Sequence, residues 1–335
     1  NYSYLSADSK EKIYDYKSLI SKLSSNYKQK NKSIVDIGGN DGSLMLIAKK
    51  RGYSTLNIEP TNVSNLSRIK GIKTINKKFS NKIAKEIIKK QNKFDFVVST
   101  NFFAHTNDLK AIINGVKKIL KDNGTLVIEV QYLYKVLKSN GFDSFHQDHK
   151  YYYTLNSIQK ILKYFDLYIF DAEFLNKQSE IIRIYVNKKF KKKTLRCLNI
   201  LKSENDKLVF KKIERLNKFR IKHISKIKRL ISLIVKKKKK ICGISASPRG
   251  CVLLNSANFG SKKINFIGEM PQSFKLKKLI PGTDIEIKEE NQIVKNQPDF
   301  VIILAWHLKS RLIKFLKKKG YKGKFIVPLP KIKIS

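Results

Sequence analysis

Apolar runs of strand length alternate with segments of helical period from Ile34 to about Gln131, which is the pattern of parallel βαβ units. The pattern predicts strands at Ile34 to Ile37, Thr55 to Ile58, Ile72 to Ile75, Phe94 to Ser99 and Thr125 to Val130. Helices are expected at about Ser43 to Lys50, Asn81 to Lys90 and Leu109 to Leu120. Two further strands, Leu167 to Phe174 and Ile181 to Val186, follow a helix near Ser157 to Phe165 and lie close enough to pair as an antiparallel edge. From Leu198 to Val235, Leu201, Leu208, Ile213, Leu216, Phe219, Ile224, Ile227 and Leu230 recur at helical spacing without Gly or Pro, which predicts one long connecting helix. Beyond it, strands at Ile241 to Ile244, Ile264 to Ile267, Phe300 to Leu304 and Phe325 to Val327 alternate with turns and a helix at His307 to Lys319. The chain therefore reads as α/β: a Rossmann-like sheet with an antiparallel edge over residues 1–195, the connecting helix over 196–238, and a second, smaller Rossmann-like α/β domain over 239–335.

Composition supports this organisation. A chain of 335 residues with 41% hydrophobic and 10% aromatic content can build two ordinary cores. It has no apolar run of spanning length, and its first residues lack the basic head and apolar core of an export signal, so a cytoplasmic protein without a membrane partner is expected. The first residue is Asn rather than Met, which suggests that the natural chain begins earlier. Cys197, Cys242 and Cys251 lie too far apart for a four-thiolate zinc site or a disulfide framework and read as reduced thiols. The net charge of +45 invites a nucleic-acid partner. However, only nine of the 71 basic residues are Arg and the lysines are spread over both halves, so the charge reads as a solvated surface that at most attracts an anionic small molecule. The run Lys236 to Lys240 falls where the long helix ends before a strand, and lysines there complement the helix dipole.

The densest candidate chemistry lies in Ile34-Val35-Asp36-Ile37-Gly38-Gly39-Asn40-Asp41-Gly42-Ser43-Leu44, an apolar strand entering a glycine-rich turn and then a helix. Small residues there let a ligand approach the backbone, and the start of a helix faces its negative groups. The next strand ends in Glu59, where a carboxylate can accept from both hydroxyls of a ribose. Phe79 and Ser80 follow the third strand, placed for an adenine, and Asn101 and His105 follow the fourth. The plainer alternative is a doubly wound fold with ordinary turns. NAD is the chemical competitor, but a pyrophosphate site wants G-x-G-x-x-G, whereas Asn40 and Asp41 stand where the phosphates would lie, and carboxylate repels pyrophosphate. A zwitterionic amino-acid tail tolerates such side chains. The expected cofactor is S-adenosylmethionine, held by Asp36, Gly38, Asn40, Gly42, Glu59, Phe79, Ser80 and Asn101.

A second constellation, Phe142 to Leu155, contains His146-Gln147-Asp148-His149 and then Tyr152. With His105, it brings three of the five histidines toward the same rim of the sheet. Histidine beside carboxylate suits proton abstraction next to a carbonyl, because the acid orients the ring and stabilises its charged form. The alternative is a polar loop whose histidines hold local turns. A metal site is not expected, since neither nearby Cys nor helical H-x-x-x-H spacing is present.

Taken together, these segments resemble the class I sugar C-methyltransferases of deoxysugar biosynthesis, over nearly the whole chain. Tyr2-Ser3-Tyr4-Leu5-Ser6-Ala7-Asp8-Ser9 is similar to the family's Y-x-Y-x-S-x-S stretch, Ile37 to Gly42 to its IGSNDG loop, and Asn101-Phe102-Phe103-Ala104-His105 to its N-x-x-A-H segment. His146 to His149 resemble its Y-H-E-H loop, with His146 in place of Tyr, Gln147 in place of His, Asp148 in place of Glu, and only His149 retained. Gly243 to Gly250, Leu279 to Thr283, Pro298-Asp299, Leu304-Ala305-Trp306 and Phe325 to Pro330 resemble segments of the family's C-terminal domain. The family's cysteine-rich N-terminal zinc domain has no counterpart in this sequence. In this family the antiparallel edge marks a methyltransferase sheet rather than a dehydrogenase one.

The resemblance implies a nucleotide-linked 4-keto-6-deoxysugar bound between the two domains. His149, oriented by Asp148, would remove the proton next to the ketone, with His146 close by and Tyr4 or His105 donating to the developing oxyanion. Arg249, Ser247 and Tyr152 are the candidate substrate contacts. Gly243 to Gly250 either holds the phosphates or simply builds the second domain. Rival readings are O- or N-methylation of another small molecule, a nucleic-acid methyltransferase, and a non-catalytic partner with a degenerate cofactor site. A monomer or weak homo-oligomer is expected.

Overall fold

The computed structural model describes residues 5–26, 32–175 and 180–335. The chain divides into two compact units, Asn1–Lys135 with Asp148–Asp206, and Val136–Gln147 with Lys207–Ser335. The segment Val136–Gln147 thus leaves the first unit, joins the second and returns before His149, a crossing absent from the expected boundaries 1–195, 196–238 and 239–335.

In the first unit, β1 (Ser33–Ile37), β2 (Ser54–Ile58), β3 (Thr74–Ile75), β4 (Phe94–Thr100), β5 (Leu120–Gln131), β6 (Tyr168–Phe174) and β7 (Ile181–Asn187) form one sheet in the order β3-β2-β1-β4-β5-β7-β6. The first five run parallel, and β7 inserts antiparallel between β5 and β6. This order, with its antiparallel edge, is the one that the resemblance to class I methyltransferases implies. The strand order reverses between β1 and β4, so the crevice at their carboxyl ends is where such a sheet binds a ligand. Helices α1 (Lys10–Asn26), α2 (Ser43–Lys49), α3 (Ser64–Ile69), α4 (Asn81–Lys90), α5 (Leu109–Ile119), α6 (Leu133–Lys138), α7 (Leu155–Tyr164) and α8 (Leu195–Ser203) accompany it, and within α6 the chain passes from the first unit to the second.

The elements follow from local chemistry. Ile112, Ile113, Val116 and Ile119 of α5 recur on one face and are buried in the core with Val97, Leu126 and Ile128 of the sheet; each such side chain is worth about 1.5–3 kcal/mol of burial. Ser80, Asp108, Thr154 and Thr194 accept from amides of the first turns of α4, α5, α7 and α8, which satisfies donors that helices leave open.

In the second unit, α9 (Val209–Lys236) precedes a sheet of β8 (Ile241–Ile244), β9 (Ile267–Glu269), β10 (Ile287–Glu289), β11 (Phe300–Ile303), β12 (Lys324–Val327) and β13 (Lys333–Ile334), ordered β10-β9-β8-β11-β12-β13 with only β13 antiparallel. Helices α10 (Pro248–Ser256), α11 (Asn291–Asn296) and α12 (Lys309–Lys318) complete it. The single helix predicted over 198–235 is two, α8 and α9. The break has a tertiary cause: Glu204 turns its carboxylate onto the amides of Leu155 and Asn156, at 2.6 and 2.7 Å, and caps α7. An anion at a helix N-terminus is favourable on charge alone. Among the described residues, no helix is long and apolar enough to cross a membrane.

Candidate active site

The glycine turn is built by backbone geometry. Gly38 and Gly42 both have φ +72°, and Asn40 has φ 54°. A Cβ at Gly42 would collide with Ser67 Oγ, and one at Gly38 would sit 3.0 Å from the Phe102 side chain. Both positions therefore need the freedom that only glycine gives without cost. The close approach at Gly38 brings the β1 and β4 loops together at the switch point.

The polar residues of the turn are engaged by the protein itself. Asp41 Oδ1 accepts from the amide of Ser43 at the start of α2, while its Oδ2 accepts from the amide of Ala7 and pairs with Lys70 at 2.9 Å. Asn40 Oδ1 accepts from the amide of Ser6. A carboxylate of the chain thus occupies the anion position at the helix start, where a pyrophosphate would otherwise bind. The same bonds fasten the segment around Ser6 and Ala7 to the turn, a role for Asn40 and Asp41 that the sequence does not announce. Glu59 lies one strand over. Its Oε2 accepts from the amide of Asn40, and its Oε1 accepts from the amide and hydroxyl of Thr61.

Asp36, in β1, is the residue whose environment asks for a ligand. It is wholly buried, and neither carboxylate oxygen has a hydrogen-bond partner among the described residues. Burial pushes its carboxyl up to about 8; Lys12 opposes the shift, and Glu129, Glu59 and Asp41 add to it. A buried acceptor of this kind is costly unless a donor or cation meets it. Beside it, Glu129 of β5 is held near the other extreme. Burial alone would raise it, but Lys12 at 2.9 Å and Arg183 at 2.7 Å bring it down to about 2. This wholly internal cluster of Lys12, Glu129 and Arg183 has no signature in the sequence, because its members come from α1, β5 and β7.

Two expected cofactor residues sit differently. Phe79 is 3% exposed and belongs to the core, where a Cβ on Gly115 of α5 would lie 3.0 Å from its ring. It packs α5 and does not offer a face to an adenine. Ser80 is the N-cap of α4, its hydroxyl accepting from the amide of Ile83 at 3.3 Å. Asn101 does lie at the crevice: it follows β4 with φ 64° and donates its amide to the carbonyl of Glu129 at 2.8 Å.

The histidines converge on the same end of the sheet. Lys150 donates its amide to the carbonyl of Ala104 at 2.7 Å, Tyr153 Oη donates to the carbonyl of Phe103 at 3.0 Å, and Tyr153 bridges Tyr132 beyond β5. These bonds stitch residues 150–153 to the loop after β4 and set the His105 and His149 rings edge to face, 4.8 Å apart. His105 Nδ1 lies 2.7 Å from the main-chain carbonyl of Asp148. A carbonyl only accepts, so this nitrogen carries the hydrogen, and the neutral ring presents Nε2 as an acceptor. His105 can donate from Nε2 to an oxyanion only as imidazolium, a condition the expected role did not include. His149 Nδ1 lies 3.1 Å from Gln131 Oε1, and Tyr152 packs against its ring at 5.6 Å. Gln131 thus stands at Nδ1, and nothing in the sequence points to Gln131, the last residue of β5. Tyr4 lies outside the described residues, and His146 belongs to the second unit.

In the second unit, Arg249 does not present an open cation to a phosphate. Its Nε and Nη2 donate to the two carboxylate oxygens of Asp143 at 3.1 and 2.9 Å, and Trp306 Nε1 donates to the same carboxylate at 2.6 Å. The guanidinium also stands over the Trp306 ring, 4.7 Å from its centroid. Ser247 is the N-cap of α10 and accepts from the amide of Gly250. Of the two uses left open for Gly243 to Gly250, the contacts of Arg249 and Ser247 are those of a fold-building turn.

Two family models divide the chain between them: residues 9–171 match a methyltransferase domain, and residues 181–330 match the C-methyltransferase C-terminal domain. The chain is a methyltransferase whose second part matches a C-methyltransferase C-terminal domain. This methyltransferase is 24% identical over 313 residues to the C-methyltransferase NovU of Streptomyces niveus, covering 90% of this chain and 73% of that protein. It is 31% identical over 157 residues to a ubiquinone biosynthesis O-methyltransferase of Pelagibacter ubique (strain HTCC1062), over 46% of this chain and 60% of the other. Among solved structures, a Pyrococcus horikoshii OT3 protein superimposes with a TM-score of 0.44 at 15% identity, over 56% of this chain and 95% of its own. The magnesium protoporphyrin IX methyltransferase of Synechocystis PCC 6803 does so with a TM-score of 0.41 at 13% identity, over 52% and 82%. The methyltransferase uses S-adenosylmethionine. The orphaned Asp36 carboxylate at the switch point fits a cofactor that carries positive charge.

Proposed function

We propose that the methyltransferase methylates the carbon next to the ketone of a nucleotide-linked keto-deoxysugar, with His149 as the general base. The observation that carries this reading is the pairing of His149 with Gln131 at the carboxyl end of β5, on the rim beside the Asp36 crevice. Bound S-adenosylmethionine supplies an electrophilic methyl group on a sulfonium. Asp36, Gly38, Gly42, Glu59 and Asn101 are the residues that would hold it. Asp36 would meet its positive charge, and the two glycines let it lie against the backbone.

The residues of the chain then have separate tasks. A ketone acidifies the hydrogen on the neighbouring carbon, and neutral His149, with its Nδ1 hydrogen directed at Gln131, has its lone pair on Nε2, where a proton can be received. His105, in its imidazolium form, would donate to the oxyanion that develops on the ketone oxygen. Asp148 supports the pair through its main-chain carbonyl on His105. Tyr152, against His149, is the remaining candidate substrate contact. His146 and Tyr4 keep the auxiliary roles that the family resemblance implies.

The direct test is mass spectrometry of reactions containing methyl-labelled S-adenosylmethionine and a panel of nucleotide-linked ketosugars. A mass gain of one labelled methyl on carbon supports the proposal. Labelling of oxygen or nitrogen, or labelling only of oligonucleotides, would replace it with one of the rival readings.

A further inference from the structure

We infer that Gln131 is a positioning residue that fixes the tautomer of His149, an inference that rests on the reading of His149 as the base. Three side chains line up at the end of β5. Gln131 Nε2 lies 2.9 Å from Glu180 Oε2, and Gln131 Oε1 lies 3.1 Å from His149 Nδ1. An ionised carboxylate accepts and cannot donate, so the amide nitrogen of Gln131 must face Glu180, and the amide oxygen must face the histidine. An amide oxygen also only accepts. The hydrogen of neutral His149 is therefore on Nδ1, and the lone pair is on Nε2. The order of the bonds, carboxylate to amide to imidazole, is set by the charged end.

Backbone structure holds this chain in place. Gln131 is the last residue of β5 and pairs with Ile181 of β7, while the amide of Tyr132 donates to the carbonyl of Glu180 at 2.7 Å. Glu180 is 7% exposed. The amide plane of Gln131 is thus clamped from two sides, and rotating it to present nitrogen to His149 would place its oxygen against the Glu180 carboxylate. A neutral amide in this position also differs in its effect from the carboxylate that usually orients a catalytic histidine. It selects the tautomer while stabilising the imidazolium less than a carboxylate would, so the ring returns its proton more readily after abstraction.

The test needs no substrate. Long-range proton–nitrogen NMR of the whole chain labelled at histidine nitrogens, with His149→Ala to assign the signal, reads the tautomer and the titration of His149. Wild-type protein should show the Nδ1-protonated form. Gln131→Met, which keeps the length of the side chain but removes the acceptor, should shift the ring toward the Nε2-protonated form. Gln131→Glu keeps an acceptor and should restore the Nδ1 form, while the pH at which His149 titrates rises by about one because a charge now faces it. An Nε2-protonated ring in the wild type, or a tautomer unchanged in Gln131→Met with His149 titrating as before, overturns the inference. The wild-type spectrum decides even if a variant fails to fold. Full turnover by His149→Ala would remove the base reading but leave the tautomer assignment standing, so the two failures are distinguishable.

Discussion

Arg249 closes on Asp143 across 106 residues of sequence, with Nε and Nη2 at 3.1 and 2.9 Å from the two carboxylate oxygens. The Asp143 side chain is 1% exposed and that of Arg249 is 14% exposed. Breaking such a pair from one side strands a charge, which typically costs about 3–5 kcal/mol. Arg249→Met should therefore lower unfolding stability by about 3 kcal/mol in urea titration. Cofactor affinity, a property of the first unit, should be unchanged. Weakened binding of sugar nucleotides without a stability loss would instead restore Arg249 as a phosphate contact.

Asp36 gives a pH signature. Its carboxyl rises from an ordinary 3.8 to about 8, chiefly through burial. Between those values the folded chain keeps a proton that the unfolded chain has released, so stability falls as pH rises from about 4 and levels off above about 8. Glu129 acts in the opposite sense. Lowered from 4.5 to about 2 against the pull of burial, it contributes stability that is complete above about 4.5 and lost as pH falls through about 2. Thermal melting of cofactor-free protein between about pH 5 and 8 should show a downward slope that Asp36→Asn flattens.

The same group predicts proton release. A cationic cofactor meeting Asp36 favours its charged form, so binding of S-adenosylmethionine at about pH 7 should expel a proton. Calorimetry in buffers of different ionisation enthalpy should detect it in wild type and not in Asp36→Asn. Identical proton counts for both proteins would sever Asp36 from the cofactor.

Gly42 is a backbone requirement. With φ +72° and Ser67 Oγ in the space a side chain would fill, Gly42→Ala should cost about 1–3 kcal/mol of stability and weaken cofactor binding. Gly52, which also has positive φ but open space around it, is the control: Gly52→Ala should cost less, about 1 kcal/mol.

How far these features are legible in the sequence depends on their range. The apolar run into Gly38 and Gly42 is local, and so is the amphipathic period of α5; both appear in the structure where the pattern puts them. Helix α1 is hard to read because its lysines and serines blur its apolar face. Phe79 misleads because an aromatic residue after a strand looks the same whether it packs under a helix or faces a ligand; only Gly115, far along the chain, distinguishes the two. The break at Glu204 depends on the amides of Leu155 and Asn156, and the role of Gln131 depends on Glu180 and His149. Glutamine carries no pattern of its own, so no one-dimensional signal marks it.

Whether His149 removes a carbon-bound proton can be read from hydrogen exchange alone. A ketosugar nucleotide that the chain methylates would be incubated in heavy water with the chain and S-adenosylhomocysteine in place of the methyl donor, and followed by proton NMR. Wild-type protein should replace the hydrogen next to the ketone with deuterium, and His149→Ala, folded and still binding S-adenosylhomocysteine, should not. Exchange at the wild-type rate in His149→Ala would rule His149 out as the base.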